Sequence, residues 1–275
     1  SDLGHIMQEF NGKTVFITGG ASGVGLGIAK AFAKANANVV IADIQTDRLI
    51  DAEQQLRALS KHVLAIEADT TDVASLQRAQ TEIEAAFNPV SVLCNNAGIG
   101  GGGKILETAE EKWRRVTEVN LWGPLNGVKV FLPGMLARGE PGHIVNTASF
   151  SGIQGHHSQG AYGTSKFAAV GFSEFLRNDL EGTCISASVL CPHVVDTPIF
   201  YPDLKPNETE EIQARREKMP WLREIAVSAD TVGEQVLAGI RNNELYIFCD
   251  GSDSREMLET RCRDLIGAMN RQFPN

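Results

Sequence analysis

Two side chains that could carry proton chemistry stand four residues apart in TyrGlyThrSerLys, the segment that contains Tyr162 and Lys166. The apolar pattern that follows predicts a helix, so both side chains share one helical face. A phenol that acts as a base near neutrality needs a pKa about 2–3 below its ordinary value near 10. An ammonium group about 4 Å away supplies roughly that much at an effective dielectric constant of about 20.

A hydroxyl group is placed to join this pair. Ser149 follows HisIleValAsnThrAla, an apolar run that predicts a strand ending at the edge of a sheet. The hydroxyl, the phenol and the ammonium would then converge on one substrate oxygen. A Tyr-x-x-x-Lys pair alone also fits an amphipathic helix with a snorkelling lysine, so the interpretation depends on the residues that precede it.

The N-terminal region has the pattern of a dinucleotide site. A β-branched run at residues 13–18 is followed by GlyGlyAlaSerGlyValGlyLeuGly and then by a helical pattern. Glycines let the backbone turn tightly and approach a pyrophosphate, whose charge rests on the N-terminus of the helix. A purely structural turn is the alternative. The residues expected to contact a cofactor here are Gly19, Ser22, Gly23, Val24 and Gly25.

Acidic residues end the next two predicted strands. The second strand ends at Asp43, about 20 residues after the glycines, where a carboxylate can accept both hydroxyls of an adenosine ribose; a helix cap is the alternative. The third ends at Asp69, which could reach the adenine edge. A helix near 72–87 and a strand at 90–94 follow. This alternation predicts a parallel sheet covered by helices on both faces.

At AsnAsnAlaGly, residues 95–98, the pattern becomes specific. Combined with ThrGlyxxxGlyxGly at 18–25, Asn120, Ser149 and Tyr162-x-x-x-Lys166, it resembles the short-chain dehydrogenase/reductase family from about residue 13 to 190. The resemblance implies an α/β Rossmann fold, a doubly wound parallel sheet of seven strands with helices on both faces. It also implies NAD(H) or NADP(H) as the redox cofactor.

The same resemblance implies a catalytic tetrad of Asn120, Ser149, Tyr162 and Lys166. Tyr162 would be the acid/base, Ser149 would hold the substrate oxygen, and Lys166 would bind the nicotinamide ribose and tune the tyrosine. Asn120 would maintain a water-linked proton relay. The cofactor contacts expected beyond the glycine-rich turn are Asp43, Asp69, Thr70, Asn96, Ala97, Gly98, Tyr162, Lys166, Pro192, Val195 and Thr197.

Pro124 supports the expected role of Asn120 from physics alone. It lies four residues after Asn120 in a long predicted helix, about 108–136, and cannot donate a hydrogen bond to the Asn120 carbonyl. That carbonyl would be free to bind water. A plain proline kink is the alternative.

The segment from about 199 to 226 resembles the substrate lid of the family, with a charged helix between proline-rich ends. Its aromatic residues suit a bulky apolar substrate or pack the lid itself. His193 stands where family members usually carry glycine, and it could border the pocket together with His156 and His157, or all three could be solvated. The expected pocket residues are His156, His193, Phe200 and Trp221.

Composition narrows the class of protein. The net charge of −9 argues against a nucleic-acid partner, and the apolar runs are too short to cross a bilayer. Five cysteines without metal-like spacing predict reduced thiols, no metal site and a cytoplasmic protein. We expect one domain over residues 7–275, with residues 1–6 a non-native leader before Met7.

The sequence therefore predicts an NAD-dependent oxidoreductase that interconverts a secondary alcohol and a ketone. NAD(H) is favoured because the Asp43 carboxylate would repel a 2′-phosphate, although Arg48 on the next helix could reach across. A non-catalytic nucleotide-binding or sensing protein and a nucleotide-sugar epimerase-like enzyme are the alternatives. The resemblance implies a homotetramer joined through helices near 108–136 and 162–180.

Overall fold

The computed structural model describes residues 6–201, 203–205 and 208–274, and at its centre is a sheet of seven parallel strands. The strand order β3-β2-β1-β4-β5-β6-β9 shows that the chain winds outwards from the middle in both directions. The strands of the chain are β1 Thr14–Thr18, β2 Asn38–Asp43, β3 Val63–Glu67, β4 Val90–Asn95, β5 Gly142–Thr147, β6 Ile185–Cys191, β7 Val195–Asp196, β8 Val227–Ser228 and β9 Tyr246–Phe248. The predicted doubly wound seven-stranded fold is confirmed.

Helices cover both faces of this sheet. The helices are α1 Gly23–Lys34, α2 Thr46–Arg57, α3 Val73–Ala86, α4 Glu110–Thr117, α5 Gly123–Arg138, α6 Gly160–Asp179, α7 Thr209–Glu217, α8 Pro220–Ile225, α9 Ala229–Arg241 and α10 Asp253–Gln272. One apolar layer packs α1, α2 and α9 against the sheet, and the other packs α3, α5 and α6. In β1, Val15 and Ile17 enter the first layer and Phe16 the second, as the alternation of a strand requires.

The helices α1 and α9 approach each other through glycines. A Cβ atom on Gly27 would lie 2.0 Å from the Ala229 carbonyl oxygen, and one on Gly233 would lie 2.2 Å from the Gly27 carbonyl oxygen. Real side-chain carbons do not approach backbone so closely, so both positions require glycine. This contact fixes where α1 begins, which is the glycine-rich turn.

The long helix predicted over 108–136 is wrong in detail. The chain forms α4, then a π-helical turn over Glu118–Trp122, then α5. Pro124 has no N–H to donate to the Asn120 carbonyl, and the Gly123 N–H donates instead to the Glu118 carbonyl five residues back. The proline thus changes the helical pitch at Asn120 instead of only bending a helix.

Two short strands were missed by the sequence analysis. The strands β7 and β8 pair in parallel, and the Val227 N–H donates to the Val194 carbonyl oxygen at 3.0 Å. They bring together the two ends of the segment expected to be the lid. Two-residue strands carry no periodic signal, so only the tertiary structure reveals this closure.

His143 in β5 makes the stability of the fold sensitive to acid. Its Nε2 lies 2.7 Å from the Ser188 hydroxyl. Burial, with a smaller contribution from the Arg177 cation, lowers the pKa of His143 to about 3. A histidine in the unfolded chain binds a proton below about pH 6.5, so the folded state loses stability as the pH falls from there towards the folded pKa.

We therefore expect a His143→Gln variant to lose part of this pH dependence. Between about pH 7 and pH 5, the free energy of unfolding of the wild type should fall by about 2 kcal/mol more than that of the variant. The glutamine amide can still bond to Ser188 but does not titrate. Urea unfolding followed by circular dichroism at both pH values measures the difference, and parallel curves would exclude His143 as the source.

The structure leaves the predictions about the N-terminal residues and about the number of domains untested. Residues 1–6, expected to be a non-native leader, lie outside the described residues except for Ile6. The single domain over 7–275 stays a prediction. Within the described part of the chain, every helix is too short or too polar to span a bilayer.

Candidate active site

The four predicted tetrad residues meet where β4 and β5 end and α6 begins. Lys166 Nζ lies 5.5 Å from the centroid of the Tyr162 ring. A Cβ atom on Gly98 would lie 3.3 Å from both Asn120 Oδ1 and Lys166 Nζ, so that glycine fills the space between them. Ser149 is close enough to the Tyr162 phenol to act on it as a hydrogen-bond partner. The fold thus assembles the predicted cluster.

Ser149 is held by a short turn after β5. Its Oγ accepts a hydrogen bond from the Ser151 N–H at 3.1 Å, which starts a 3₁₀ turn. On either side of the serine, the Phe150 N–H donates to the Pro192 carbonyl and the Ala148 N–H to the Leu190 carbonyl. The serine is therefore fixed between β5 and the end of β6 with its hydroxyl beside Tyr162.

The electrostatics of Tyr162 differ from the sequence-based expectation. Burial raises the pKa of the phenol, and the hydrogen bond with Ser149 opposes this by lowering it. Burial also lowers the pKa of the Lys166 ammonium to about 8. In the polypeptide alone, desolvation of the phenol outweighs the neighbouring hydroxyl, so the net shift of the Tyr162 pKa is upward and not the lowering expected from the lysine.

The Asn120 side chain joins neighbouring segments of the chain through hydrogen bonds. Its Oδ1 accepts from the Ile99 N–H at 2.8 Å, and its Nδ2 donates to the Ile99 carbonyl and the Ser165 hydroxyl, both at 3.0 Å. Ser165 in turn donates to the Tyr162 carbonyl at 2.6 Å. These bonds link the π-helical turn to the tyrosine helix, so a relay through Asn120 would use its main-chain carbonyl.

The glycine-rich turn fits a pyrophosphate. Gly19 and Gly23 have φ angles of 62° and 54°, in the left-handed region that favours glycine. A Cβ atom on Gly25 would lie 2.1 Å from the Gly19 carbonyl oxygen, and one on Gly19 would lie 2.8 Å from Ala97 Cα. The turn therefore brings backbone close to the N-terminus of α1, as phosphate binding requires. Ser22, at the N-cap, makes no capping bond with its side chain.

Asp43 is positioned at the opening of the same turn. One carboxylate oxygen accepts from the Gln45 N–H at 3.0 Å and the other from the Ala21 N–H at 3.4 Å. Arg48, the cation that could have answered a 2′-phosphate, donates instead to the Leu204 carbonyl of the lid segment at 3.3 Å. The end of β2 therefore carries the Asp43 carboxylate, and Arg48, the cation considered as a partner for a 2′-phosphate, binds a different group.

Asp69 makes hydrogen bonds within its own loop, and Thr70 binds helix α5. Asp69 Oδ1 accepts from the Thr71 N–H at 2.9 Å and from the Thr71 hydroxyl at 2.7 Å. The Thr70 carbonyl accepts from Asn126 of α5 at 2.9 Å. These bonds shape the loop after β3 beside the adenosine end of the expected site.

Asn96 connects the three strand ends beneath the cofactor site. Its side chain donates to the Gly19 carbonyl at 3.3 Å and accepts from the Thr147 hydroxyl at 2.9 Å. Thr18 Oγ1 accepts from the N–H groups of Asn96 and Ala97. Sequence analysis included Thr18 in the glycine motif without giving it a role and missed Thr147, because a threonine at a strand end is ordinary and only its partners show that it holds this region together.

Thr197 and Pro192 complete the cofactor side after β6. A Cβ atom on Gly23 would lie 3.3 Å from Thr197 Cβ, so Thr197 contacts the glycine-rich turn. Pro192 binds the Phe150 N–H through its carbonyl, and Val195 starts the pairing of β7 with β8. His193, the departure from the family glycine, packs against the Phe150 ring with a centroid distance of 5.8 Å.

The predicted pocket residues lie in the loop after Ser149, in the segment after β6 and in helix α8. Phe200 and Trp221 form an edge-to-face pair with centroids 5.7 Å apart, and Trp221 keeps 44% of its surface exposed. His156 and His157 are exposed. The pKa of His156 is lowered first by burial and then by the field of His193, so these two histidines border the same region.

A polar cluster that sequence analysis did not anticipate holds the segment expected to be the lid. The Tyr201 hydroxyl donates to Asp196 Oδ1 at 3.0 Å, and Arg216 forms an ion pair with Asp196 at 3.0 Å. Arg216 also donates to the Tyr201 hydroxyl at 3.1 Å. Asp196 is the neighbour of Thr197, so the anchor joins α7 to the cofactor side of the pocket.

Comparison with known proteins supports this architecture. The family model described as short chain dehydrogenase matches residues 13–207. The 1-deoxy-11-beta-hydroxypentalenate dehydrogenase of Streptomyces exfoliatus is 34% identical over 92% of this chain and 88% of its own. The C alpha-dehydrogenase of Sphingobium sp. strain NBRC 103272 / SYK-6 is 33% identical over 96% of this chain and 88% of its own.

Solved structures agree with the sequence comparison. A short-chain dehydrogenase/reductase from Burkholderia phymatum in complex with NAD has a TM-score of 0.84 and 31% identity, and 98% of each chain is covered. An actinorhodin polyketide ketoreductase with NADPH has a TM-score of 0.73 and 33% identity, over 85% of this chain and 92% of that one. This chain belongs to the short-chain dehydrogenase/reductase family of oxidoreductases.

Proposed function

We propose that this protein is an NAD-dependent dehydrogenase that interconverts a secondary alcohol and a ketone. The observation that carries the proposal is the convergence of Ser149, Tyr162 and Lys166 beside a glycine-only turn with Asp43 at its opening. A non-catalytic nucleotide-binding protein would not need all of these groups in one place. The family placement makes an oxidoreductase the simplest function for the cluster.

Each residue has a defined task in this proposal. A bound nicotinamide supplies or accepts the hydride. Ser149 would orient the substrate oxygen, and Tyr162 would give it a proton during ketone reduction or take one during alcohol oxidation. Lys166 would bind the nicotinamide ribose, and the ammonium favours the ionised phenol when the tyrosine acts as a base. The residues that would hold the cofactor are those predicted above, from Gly19 to Thr197.

The raised pKa of Tyr162 favours one direction at neutral pH. A raised pKa favours the protonated phenol, which is the form that donates to a ketone. Alcohol oxidation needs the phenolate, so its rate should increase as the pH rises. We therefore expect ketone reduction to be favoured at lower pH and alcohol oxidation at higher pH.

The proposed substrate is bulky and apolar or aromatic. The edge-to-face pair of Phe200 and Trp221, of which Trp221 keeps 44% of its surface exposed, supports an apolar or aromatic substrate. The relative named as a 1-deoxy-11-beta-hydroxypentalenate dehydrogenase supports a hydroxyl-bearing substrate. Within the pocket, His156 and His193 would supply the polar contacts that orient such a molecule.

A spectrophotometric assay tests the proposal. The protein is incubated with NAD⁺ and a graded panel of secondary alcohols, from small aliphatic to bulky aromatic, while the absorbance of reduced nicotinamide is recorded. Turnover that increases with apolar bulk is expected. If a binding assay shows that the cofactor binds but no alcohol or ketone reacts, the protein is a binding or sensing protein. Activity confined to nucleotide sugars would favour the epimerase-like alternative.

Asp43 should select NAD(H) over NADP(H). A 2′-phosphate near the carboxylate would meet repulsion and lose the ribose hydrogen bonds. At about 5 Å and an effective dielectric constant of about 20, the repulsion is on the order of several kcal/mol, or at least about a hundredfold in kcat/KM. Measuring kcat/KM with both cofactors checks the preference.

The matched variants are Asp43→Asn and Asp47→Asn. The first removes the charge beside the ribose and should reduce the preference at least about tenfold. The second removes a carboxylate from the exposed start of α2 and should leave the preference as in the wild type. Equal use of the two cofactors by the wild type, or an unchanged ratio in Asp43→Asn, would refute the assignment.

Two further expectations belong to the proposal. A homotetramer would use the helices α5 and α6, on which Phe175 is 72% exposed and Trp122, just before α5, is 50% exposed.

The five cysteines are free, and of these Cys94, Cys191 and Cys249 are buried. A cytoplasmic location stays a prediction.

A further inference from the structure

The loop after β4 contains five glycines between residues 98 and 103, and Gly100 is the one with room for a side chain. At Gly103, by contrast, the φ angle is 132° and a Cβ atom would lie 2.6 Å from Thr108 Oγ1. At Gly100 the φ angle lies outside the left-handed region, and among the described residues a Cβ atom would meet only Ile199 Cδ1, at an ordinary contact distance of 3.9 Å. Neither the backbone nor the packing therefore explains why position 100 has no side chain.

Gly100 and Ile199 approach each other from two sides of the candidate active site. Gly100 comes two residues after Gly98, where a Cβ atom would lie 3.3 Å from Lys166 Nζ of the tetrad. Ile199 comes two residues after Thr197, which contacts the glycine-rich turn. It is also the first residue of the segment expected to be the lid. The contact between the two residues therefore lies between the tetrad side and the cofactor side of the site.

The gap between these two residues is too narrow for an apolar group. A carbon–carbon single bond is about 1.5 Å long, so Gly100 Cα lies at most about 5.4 Å from Ile199 Cδ1. An apolar group between two carbon atoms needs a contact distance of about 3.5–4.0 Å on each side, or about 7–8 Å in total. One of the two walls must therefore move before such a group can pass.

The wall that contains Gly100 is fixed by main-chain hydrogen bonds. The Gly103 N–H donates to the Ser158 carbonyl at 2.6 Å, and the Gly160 N–H donates to the Gly103 carbonyl at 3.2 Å. Gly160 is the first residue of α6, the helix that carries Tyr162. These bonds join the glycine loop to the start of the tyrosine helix, so a movement of the loop would disturb the tetrad itself.

On the opposite wall, the side chain of Ile199 is free to move although its main chain is held. Ile199 lies in the 3₁₀ turn Pro198–Phe200, and the Tyr201 N–H donates to the Pro198 carbonyl at 3.0 Å. Tyr201 is buried and bonds to Asp196. The Ile199 side chain, however, is 58% exposed, so it can change its rotamer without disturbing the core.

We propose that Gly100 and the Ile199 side chain form a gate that limits the size of the apolar group admitted to the active site. Because position 100 has no side chain, rotation of Ile199 alone opens this Gly100–Ile199 gate. A larger residue at position 100 would leave a second carbon atom in the gap. Both walls are hydrocarbon, so the group that passes is the apolar part of the substrate. The gate rests on the proposed function, since it selects among the secondary alcohols and ketones of that reaction.

Two secondary alcohols of different size, butan-2-ol and 1-(2-naphthyl)ethanol, test the gate when each is oxidised with NAD⁺. Gly100→Ala should lower kcat/KM for the naphthyl alcohol at least about tenfold relative to kcat/KM for butan-2-ol, because one carbon in an apolar site changes selectivity about 10–200-fold. Ile199→Ala should shift this ratio in the opposite direction. The double variant should return the ratio to within about threefold of the wild type, since the added methyl group acts through its contact with Ile199.

Gly171→Ala and Ile50→Ala are the matched controls. A Cβ atom on Gly171 in α6 would meet nothing within 4 Å, and Ile50 in α2 is 54% exposed, close to the exposure of Ile199. Both controls should keep the ratio within about threefold of the wild type. Cofactor titration and circular dichroism confirm that every variant is folded. An unchanged ratio in Gly100→Ala, or a double variant that keeps the ratio of Gly100→Ala, overturns the gate, whereas oxidation of butan-2-ol by the wild type still supports the proposed function.

Thiol labelling tests the gate without turnover. In a Ser149→Cys/Cys262→Ser background, methyl and naphthylmethyl methanethiosulfonate each transfer an alkylthio group to the introduced thiolate, which forms a disulfide and releases methanesulfinate. Mass spectrometry of the peptide that contains residue 149 gives both rates. Adding Gly100→Ala should lower the naphthylmethyl rate at least about tenfold relative to the methyl rate, and adding Ile199→Ala should raise it.

The labelling result separates the gate from the proposed reaction. Equal changes in the two labelling rates would overturn the gate, even if the enzyme oxidises both alcohols. If the wild type oxidises neither alcohol while the labelling rates shift as expected, the proposed reaction is wrong and the gate stands.

Discussion

Tyr162→Phe is expected to lower kcat by about 10²–10⁴-fold while the affinity for the cofactor stays close to the wild-type value. The phenylalanine ring keeps the shape of the tyrosine and its position next to Lys166, whose Nζ lies 5.5 Å from the ring centroid. What is lost is the hydroxyl that bonds with Ser149 and carries the proton. Steady-state kinetics with a cofactor-binding titration separates the loss of chemistry from a loss of binding.

The control for this experiment removes the hydroxyl group of a different tyrosine, Tyr246. Tyr246→Phe deletes a hydroxyl that donates to Glu174 at 2.5 Å at the edge of the sheet, away from the tetrad. Its kcat should stay within about threefold of the wild type, as expected for a group outside the reaction. If Tyr162→Phe retained more than about a tenth of the wild-type kcat, the tyrosine would not be the proton donor.

Gly27→Ala is expected to destabilise the protein by about 3 kcal/mol or more, because the added methyl group would lie 2.0 Å from the Ala229 carbonyl oxygen. Both sides of this contact are backbone, so no flexible side chain can move away. The helices α1 and α9 would have to separate, and the start of α1 carries the glycine-rich turn. We therefore expect weaker cofactor binding together with the lower free energy of unfolding.

Gly171→Ala is the matched control. It lies inside α6, and a Cβ atom there would meet nothing within 4 Å. The same substitution should raise the free energy of unfolding there by about 0.5–1 kcal/mol, because alanine loses less backbone freedom on forming a helix. Urea unfolding of the two variants gives the comparison. Similar small effects at both positions would mean that α1 and α9 can separate at little cost.

Local sequence was enough to predict the seven strands of the central sheet and most of the helices between them, but not β7, β8 or the π-helical turn. Apolar runs of five or six residues, interrupted by glycines, specify strands such as β1 and β2, because hydrophobic periodicity is a property of neighbouring residues. The requirement for glycine at Gly25 could likewise be read from its place between a strand and a helix. The tetrad residues followed from a resemblance whose motifs span most of the sheet.

Only the tertiary structure decided how these groups behave. The pKa of Tyr162 is raised because desolvation depends on every chain segment that covers the phenol, and no spacing of residues encodes that sum. The partners of Asn96 come from the ends of β1 and β5, which lie far from it in the sequence, so its role in holding the expected site was invisible in sequence.

The same distinction explains the remaining differences. Pro124 shows in the sequence that a helical donor is missing, but the sequence does not decide between a kink and a π-helical turn. The structure has the π-helical turn, with the Asn120 side chain bonded to Ile99 and Ser165. The sequence by itself determined most of the elements and the glycine-rich turn, because these depend on local backbone preference, and the family resemblance supplied the candidate catalytic side chains. Burial and helix pitch were decided by tertiary packing, because both depend on contacts between residues far apart in the chain.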